Sequence, residues 1–196
     1  MNNYQKHLKQ ISELTFKPKL LLHVCCGVCS VYPLVYLSEY FDITIFFSNS
    51  NIYPYEEFNK RLDALNTYLK SFNNDIKLIV APYDYEKYDS KVAHLKDENE
   101  GGKRCKLCYQ IRMEDTYKYA CDNNFDYCTT VMSISNRKNA DYINEIGEQL
   151  QTKYPSVKYL YADFKKNDGI TINEKMNKEI NLYHQNYCGC KYSLRW

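Results

Sequence analysis

Short apolar runs alternate with helix-compatible segments along most of the chain. Runs of strand length, rich in apolar, β-branched or aromatic residues, predict strands at 20–24, 42–47, 76–80, 127–131 and 158–162. The segments between and around them predict helices at 1–16, 31–40, 56–72, 105–123, 140–153 and 173–183. The polar and charged stretch 83–103 predicts no regular element.

Strands that alternate with helices are typical of α/β proteins with a parallel sheet and right-handed crossovers. We therefore predict one α/β domain over residues 1–196, with an N-terminal helix at 1–16. Its core is expected to be a Rossmann-like, HUP-type, mostly parallel sheet flanked by helices. Every predicted strand except the third runs into a distinctive polar or thiol-bearing loop. Since the carboxyl ends of parallel strands share one edge of the sheet, these loops should meet there and form a metal site.

The spacing of the cysteines indicates what kind of site the carboxyl edge of the sheet holds. The chain has nine cysteines, an odd number that argues against a disulfide framework. Seven of them fall into three tight groups: Cys25, Cys26 and Cys29, then Cys105 and Cys108, then Cys188 and Cys190. Such clustering indicates metal ligation. Cys121 and Cys128 stand apart and are predicted to be small packed side chains rather than ligands.

Spacing alone leaves two kinds of metal centre open. Cys-x-x-Cys together with Cys-x-Cys supplies the four thiolates of a closed structural zinc site. That solution leaves Cys25, Cys26 and Cys29 without a role. Seven thiolates are enough for an iron–sulfur cluster and one further metal beside it.

Composition limits the class of protein and its place in the cell. The hydrophobic fraction of 44% with 26% charged residues is ordinary for a globular protein. A net charge of +2 is too small to indicate nucleic-acid binding by itself. No apolar run reaches membrane-spanning length, and the polar N-terminus lacks a signal-peptide core. We therefore expect a cytoplasmic protein with no membrane partner.

Several segments together carry a family resemblance. They are Leu-Leu-His-Val-Cys-Cys-Gly-Val-Cys-Ser (21–30), Asn-Ile-Tyr-Pro-Tyr-Glu-Glu (51–57), Glu-Gly-Gly-Lys-Arg-Cys-Lys-Leu-Cys (100–108), Phe-Asp (125–126), Thr-Thr (129–130), Ile-Ser (134–135), Lys-Asn (138–139), Asp-Phe-Lys-Lys (163–166) and Tyr-Cys-Gly-Cys-Lys-Tyr-Ser (187–193). In order and spacing, residues 19–193 resemble the cobalamin-independent epoxyqueuosine reductases, the QueH family. One departure is Ser-Asn-Arg-Lys at 135–138, where the family more often has Ser-Pro-His-Lys, so no histidine can act there.

The resemblance implies a reaction and its cofactors. It implies two-electron removal of the epoxide oxygen of epoxyqueuosine in the tRNA anticodon loop, giving queuosine-tRNA. It also implies a [4Fe–4S] cluster, a neighbouring mononuclear metal expected to be iron, and no cobalamin. The seven clustered cysteines would divide between the two centres, in a division that the sequence leaves open. An external electron donor of unknown identity is required.

Further site residues are predicted from their position on the loops at the sheet edge. Asp163 is the candidate proton donor, and His23 is expected to be a packed core histidine. Basic side chains expected to contact tRNA phosphates are Lys103, Arg104, Arg137, Lys138, Lys165 and Lys166. Tyr53 and Tyr55 are candidate platforms for unstacked anticodon bases.

Two other functions compete with this interpretation. A tRNA-thiolating or ATP-pyrophosphatase enzyme on a similar scaffold needs a glycine-rich anion loop after the first strand, and here that loop has only Gly27. A non-catalytic zinc–thiolate module that binds RNA or protein would have no need of the adjacent Cys25 and Cys26. The two ideas differ from a reductase in their demand for ATP and in their metal content.

Overall fold

The computed structural model describes residues 1–72 and 76–194. Within these ranges the strands are β1 (Lys19–His23), β2 (Asp42–Phe47), β3 (Lys77–Val80), β4 (Tyr127–Thr130) and β5 (Lys158–Tyr159). The α-helices are α1 (Asn3–Ser12), α2 (Gly27–Ser38), α3 (Tyr55–Ser71), α4 (Tyr85–Val92), α5 (Lys103–Asp122), α6 (Ala140–Lys153) and α7 (Gly169–Ile180). None of the described helices is both long and apolar enough to cross a membrane.

The strands form one five-stranded parallel sheet in the order β3-β2-β1-β4-β5. The central strand β1 pairs with β2 on one side and β4 on the other, with His23 opposite both Phe46 and Thr130. Leu20, Leu21 and Leu22 of β1 are completely buried, as expected for a strand covered by helices on both faces. The predicted Rossmann-like α/β fold is confirmed. The strand order reverses between β1 and β4, and such a switch point opens a crevice at the carboxyl edge.

Two differences from the predicted elements bear on that crevice. Helix α2 begins at Gly27, four residues before the predicted start, so that Cys29 lies inside its first turn. The stretch 83–103 contains α4, which the sequence analysis missed. The Asp84 side chain caps α4 by accepting from the Lys87 amide at 3.0 Å, and Tyr88 and Val92 are its buried residues. An aspartate followed by apolar residues four apart was the available signal.

Helix α1 is attached to the β5 side of the sheet through polar contacts. The His7 side chain is 2% exposed, with its Nδ1 2.6 Å from the Tyr161 carbonyl and its Nε2 3.0 Å from the Tyr36 hydroxyl. Because a carbonyl can only accept, Nδ1 carries the proton and Nε2 accepts from Tyr36. Gln10 adds bonds to the Tyr159 carbonyl and the Tyr161 amide. A neutral ring thus satisfies both of its partners.

We expect this histidine to make stability depend on pH. Burial lowers the pKa of His7 below its ordinary value, and the bond to the Tyr161 carbonyl offsets only part of that effect. The unfolded chain binds a proton near pH 6.5 and the folded chain does not, so stability falls as the pH drops below that value. Lowering the pH from 7.5 to 5.5 should reduce the free energy of unfolding, measured with urea, by about 1 kcal/mol less in His7→Asn than in wild type. The exposed control His184→Asn should behave as wild type, and equal pH slopes in all three proteins would contradict the assignment.

Candidate metal centre

The first thiol group lies where β1 passes into α2. Cys25, Cys26 and Cys29 have sulfur atoms that all lie within 4.8 Å of one another, and no other group of three such ligands is found among the described residues. The Cys25 and Cys26 sulfurs are 3.6 Å apart. Cys26 has extended backbone (φ −172°) and immediately precedes the free amides of the first turn of α2. The positive end of this helix favours thiolates at these positions.

These three thiols are electrostatically unequal. Hydrogen bonds from the Cys26 and Cys29 thiols, followed by the charges of Lys138 and Arg112, hold the pKa of Cys25 well below its usual range. Burial and the neighbouring Cys25 raise the pKa of Cys26 to about 12. A thiolate is thus already stabilised at Cys25, while its neighbours donate to it. The group is suited to release its remaining protons when a cation binds.

The other four clustered thiols come from two elements. Cys105 and Cys108 lie one turn apart near the start of α5, and each is 8% exposed. Cys190 is 7% exposed and Cys188 is half-buried in the C-terminal segment. Burial raises the pKa of Cys105 and of Cys108, and the charges of Cys188 and Cys190 raise both further. The two pairs therefore lie close enough to influence one another, and their role as metal ligands stays a prediction.

An arginine on α3 holds the C-terminal thiol segment in place. Arg61 is 2% exposed, and its Nε donates to Glu57 Oε1 at 2.7 Å. Its Nη1 and Nη2 donate to the carbonyls of Cys188 and Tyr187 at 3.0 and 3.2 Å. Gly189 has a φ of +116°, and a Cβ there would lie 2.8 Å from Arg61 Nη1. Sequence reasoning missed this pair, although Glu57 and Arg61 stand one helical turn apart.

Arg61→Lys should loosen this attachment. An ammonium cannot satisfy Glu57 and two carbonyls in the planar geometry of a guanidinium. We expect urea unfolding to show a loss of about 1–3 kcal/mol, because buried acceptors lose their donors. The matched control is Lys60→Arg on the exposed side of the same helix, which should leave stability unchanged. Wild-type stability in Arg61→Lys would contradict this role.

Two buried cations face the thiols without a carboxylate partner. Arg112 is 3% exposed and Lys138 is 8% exposed, yet neither forms an ion pair within the described part of the chain. Arg112 Nη2 donates to Asn49 Oδ1 at 2.6 Å, and its Nε has no partner. Burial alone would lower the pKa of Lys138, but the nearby sulfurs of Cys188 and Cys25 outweigh burial and raise the pKa. Buried charges need compensation, and the sulfur among these that is suited to supply it is Cys25, whose pKa is lowered.

A cavity of about 230 Å³ opens onto this centre at the crevice beside β1. Its walls bring together two of the thiol groups and two of the predicted basic residues: Cys25, Cys29, Cys188, Arg137 and Lys138. Arg61 and Tyr187 also line it. The cavity therefore offers a concave space in which a ligand would meet thiols and cations at once.

His23 is a packed core residue, as predicted. It is completely buried, its Nε2 lies 3.2 Å from the Ser48 carbonyl and its Nδ1 2.8 Å from the Thr130 hydroxyl. Burial, aided by the charge of Arg112, lowers its pKa to about 3. The ring is neutral at physiological pH, donates to Ser48 and accepts from Thr130.

Asp163, the expected proton donor, does not line the cavity. Its Oδ1 is buried without a hydrogen-bond partner and lies 3.9 Å from Lys165 Nζ. Lys165 Nζ donates to the carbonyls of Ser133 and Lys138 at 2.8 and 3.2 Å. Lys165 therefore holds the backbone of Lys138 in place, and Asp163 lies next to Lys165.

The predicted tRNA contacts divide by exposure. Lys103, Arg137 and Lys166 are exposed. The prediction that Arg104 contacts tRNA is wrong. Arg104 is 3% exposed, and its Nη1 donates to the carbonyls of Leu95, Lys96 and Glu98. A guanidinium with these partners stabilises the turn before α5 and is not presented to a phosphate.

The two tyrosines predicted as base platforms also differ. Tyr55 is 51% exposed and its ring lies against Phe58 and Tyr83. Tyr53 is half-buried, with its ring centroid 4.9 Å from that of Tyr85. Of the pair, Tyr55 has the ring face that an incoming base can reach.

Comparison with known proteins identifies the family. A family model described as epoxyqueuosine reductase QueH matches residues 20–196. The chain belongs to the QueH family. The epoxyqueuosine reductase QueH of Streptococcus pyogenes serotype M1 is 37% identical over 201 residues, which cover 98% of this chain and 78% of that protein. That of Thermotoga maritima is 31% identical, over 89% of this chain and 90% of that protein. As a member of the QueH family, the chain is an oxidoreductase.

Among solved structures, the chain is similar to the U34-tRNA thiolase NcsA from Methanococcus maripaludis with its [4Fe–4S] cluster. The TM-score is 0.60 at 15% sequence identity, covering 98% of this chain and 66% of that one. At such low identity the likeness establishes the fold alone. The same α/β scaffold thus occurs in an enzyme that holds an iron–sulfur cluster.

Proposed function

We propose that this chain removes the epoxide oxygen of epoxyqueuosine in tRNA, and that its seven clustered thiols hold the metals this reduction needs. The observation that carries the proposal is the pair of buried cations, Arg112 and Lys138, which have no carboxylate partner among the described residues and lie beside the clustered thiols. A protein that keeps its cysteines as neutral thiols gains nothing from two uncompensated buried charges. A metal–thiolate centre, which is anionic overall, explains them.

The donor set fits a [4Fe–4S] cluster with an adjacent mononuclear metal, which we expect to be iron. Three thiols lie together at the start of α2, and two interacting pairs lie at the start of α5 and in the C-terminal segment. A single closed zinc site would use only four of the seven. When bound, such a centre supplies electrons one at a time and an electrophilic metal for the oxygen. The proposed reduction uses no cobalamin.

Lys138 is the group best placed to act on the substrate oxygen. Removal of the epoxide oxygen takes two electrons and two protons, breaks both carbon–oxygen bonds, forms a carbon–carbon double bond and releases water. The Lys138 side chain lines the cavity beside Cys25, Cys29 and Cys188, and its charge is favoured there. A fixed cation in a water-poor site stabilises charge that develops on the departing oxygen. Asp163 stays a proposed proton source.

Three exposed cations are the proposed tRNA contacts. Arg137 lines the same cavity, Lys103 is the first residue of α5, and Lys166 follows β5. These cations would position the anticodon-loop backbone electrostatically. Tyr55 offers a ring face on which an unstacked base can rest. The electrons come from an external donor.

The test is a single-turnover reaction in the absence of oxygen. Protein reconstituted with iron and sulfide is mixed with epoxyqueuosine-containing tRNA and reduced methyl viologen, and the digested nucleosides are analysed by mass spectrometry. We expect conversion to queuosine with loss of one oxygen mass, in an amount that follows the iron content. Fully loaded protein that leaves epoxyqueuosine unchanged would refute the proposed function.

A further inference from the structure

A glutamine of the C-terminal segment reaches the first thiol group. The Gln185 Nε2 donates to the Cys26 sulfur at 3.0 Å, across 159 positions of the sequence. Gln185 is half-buried and lines the cavity at the thiol centre, whereas Cys26 is 1% exposed. Among the described residues, Gln185 has the one side-chain amide that hydrogen bonds to a clustered thiol. The contact therefore joins the wall of this cavity to a predicted metal ligand.

The segment that carries Gln185 is attached to α3 on both sides of this residue. On one side, the Tyr183 hydroxyl donates to Glu57 Oε2 at 2.7 Å. On the other side, Arg61 donates to two backbone carbonyls of the segment. Because Glu57 and Arg61 are themselves joined at 2.7 Å, a single ion pair on α3 fixes both ends of the segment. The Gln185 amide is therefore presented to the sulfur by a backbone that is held in place.

The Gln185 side chain has no other polar partner. Its Oε1 is buried and makes no hydrogen bond within the described part of the chain, so the bond to sulfur is the one polar contact of this amide. A glutamine that served stability alone would be expected to satisfy both ends of its amide, because a buried acceptor without a partner costs free energy. The arrangement favours a role that is directed at the sulfur.

A hydrogen bond to a metal-bound sulfur changes how easily the metal is reduced. The reduced state of a thiolate-bound centre carries one more negative charge than the oxidised state, and the sulfurs share that charge. An N–H donor stabilises the more negative state, and it therefore raises the reduction potential. Hydrogen bonds to the sulfurs are among the features that set the potentials of iron–sulfur clusters. An amide aimed at Cys26 should thus make a centre bound there easier to reduce.

We propose that Gln185 is a positioning residue for the reduction, which raises the potential at which the thiol-bound centre accepts electrons through its N–H···S bond to Cys26. The inference rests on the proposed function, since it requires a redox centre at these thiols. In each reduction step the centre takes one electron from the external donor, and no covalent bond of Gln185 forms or breaks. A centre without this hydrogen bond needs a stronger donor to reach the same degree of reduction.

The test is a redox titration of metal-loaded protein, followed by electron paramagnetic resonance, without oxygen and without tRNA. Gln185→Met keeps the length of the side chain but has no donor. At the wild-type midpoint, the ratio of reduced to oxidised centre should be about tenfold lower in this variant, which is a midpoint about 59 mV more negative. Tenfold is the low end of the effects that outer hydrogen bonds have on metal sites.

A second variant separates the hydrogen bond from a merely structural role. Gln185→Lys keeps a donor and adds a positive charge, so its midpoint should equal or exceed that of wild type. A structural disturbance would move both variants in the same direction. The matched control is Gln149→Met, on the exposed side of α6 and outside the cavity, which should keep the wild-type midpoint. Because only molecules that hold the centre are titrated, incomplete loading of a variant does not alter the reading.

The outcomes distinguish this inference from the proposed function. Equal midpoints in wild type, Gln185→Met and Gln185→Lys, or an equal fall in both variants, would overturn the role of Gln185 and leave the reductase intact. The expected shifts in a protein that leaves epoxyqueuosine unchanged would instead refute the reductase function, while the effect of Gln185 on the potential would stand. Loaded wild type without any reducible centre would overturn both.

Discussion

Cys26→Ala should abolish epoxyqueuosine reduction and lower the iron bound per chain. The Cys26 sulfur lies 3.6 Å from Cys25 and within 4.8 Å of Cys29, and it accepts a hydrogen bond from Gln185 Nε2 at 3.0 Å. Since loss of mere supporting contacts to a metal already costs about 10- to 100-fold, loss of a ligand should reduce the rate at least about 100-fold. The measurement is single-turnover conversion with iron analysis of the same sample.

The matched control is Cys121→Ala. Cys121 is a half-buried cysteine on α5 outside the three thiol groups, and its sulfur contacts only the Ser156 hydroxyl among the polar partners described. This variant should keep wild-type iron content and rate. If Cys26→Ala kept both as well, the adjacent cysteine pair would be dispensable and a zinc–thiolate binding module would become the better account.

Lys138→Met should lose turnover while retaining tRNA binding. We expect the maximal rate to fall about 100- to 1,000-fold, the range seen when one donor to a developing oxyanion is removed. The reason is that the methionine side chain fills the same space beside Cys25, Cys29 and Cys188 without donating to the substrate oxygen. The measurements are the maximal single-turnover rate, tRNA affinity by filter binding, and iron content.

Two companion variants separate charge from position. Lys138→Arg keeps a cation in the cavity and should recover part of the rate. Lys166→Met removes an exposed lysine and should weaken tRNA binding slightly at an unchanged maximal rate. A Lys138→Met protein with wild-type rate and full iron content would show that Lys138 takes no part in the reaction. Asp163 would then be the remaining candidate to act on the departing oxygen.

Much of the fold follows from local sequence signals. The bounds of β2 and α6 match the predicted 42–47 and 140–153, because alternation in one and a 3.6-residue period in the other are strong. The predicted start of α2 was too late because Gly27 and Cys29 are weak helix formers, and their propensities favour a turn. Their helical conformation comes from packing, with a Cβ on Gly27 meeting the α3 backbone at 3.0 Å. Tertiary contact, rather than propensity, decides that boundary.

The site was partly predictable for a similar reason. Cysteine spacing identifies the thiol groups, since metal ligation demands nearby sulfurs in any fold. The sequence does not show that Arg112 and Lys138 are buried, because a charged residue is by default predicted to be exposed to solvent. The same limit explains Arg104, whose partners are backbone carbonyls. Nor can it place Tyr88 against Cys108 when α4 itself was not predicted. Burial of charge is a property of the assembled fold.

The most direct test of the metal centre is iron, zinc and acid-labile sulfide per chain in protein purified without oxygen. We predict about four sulfides with more iron than sulfide, as a [4Fe–4S] cluster with a further mononuclear iron requires. One zinc per chain without sulfide, unchanged by anaerobic reconstitution with iron and sulfide, would contradict the redox centre. In that case the thiols would form a structural site, and the buried cations would have to be explained by zinc–thiolate charge alone.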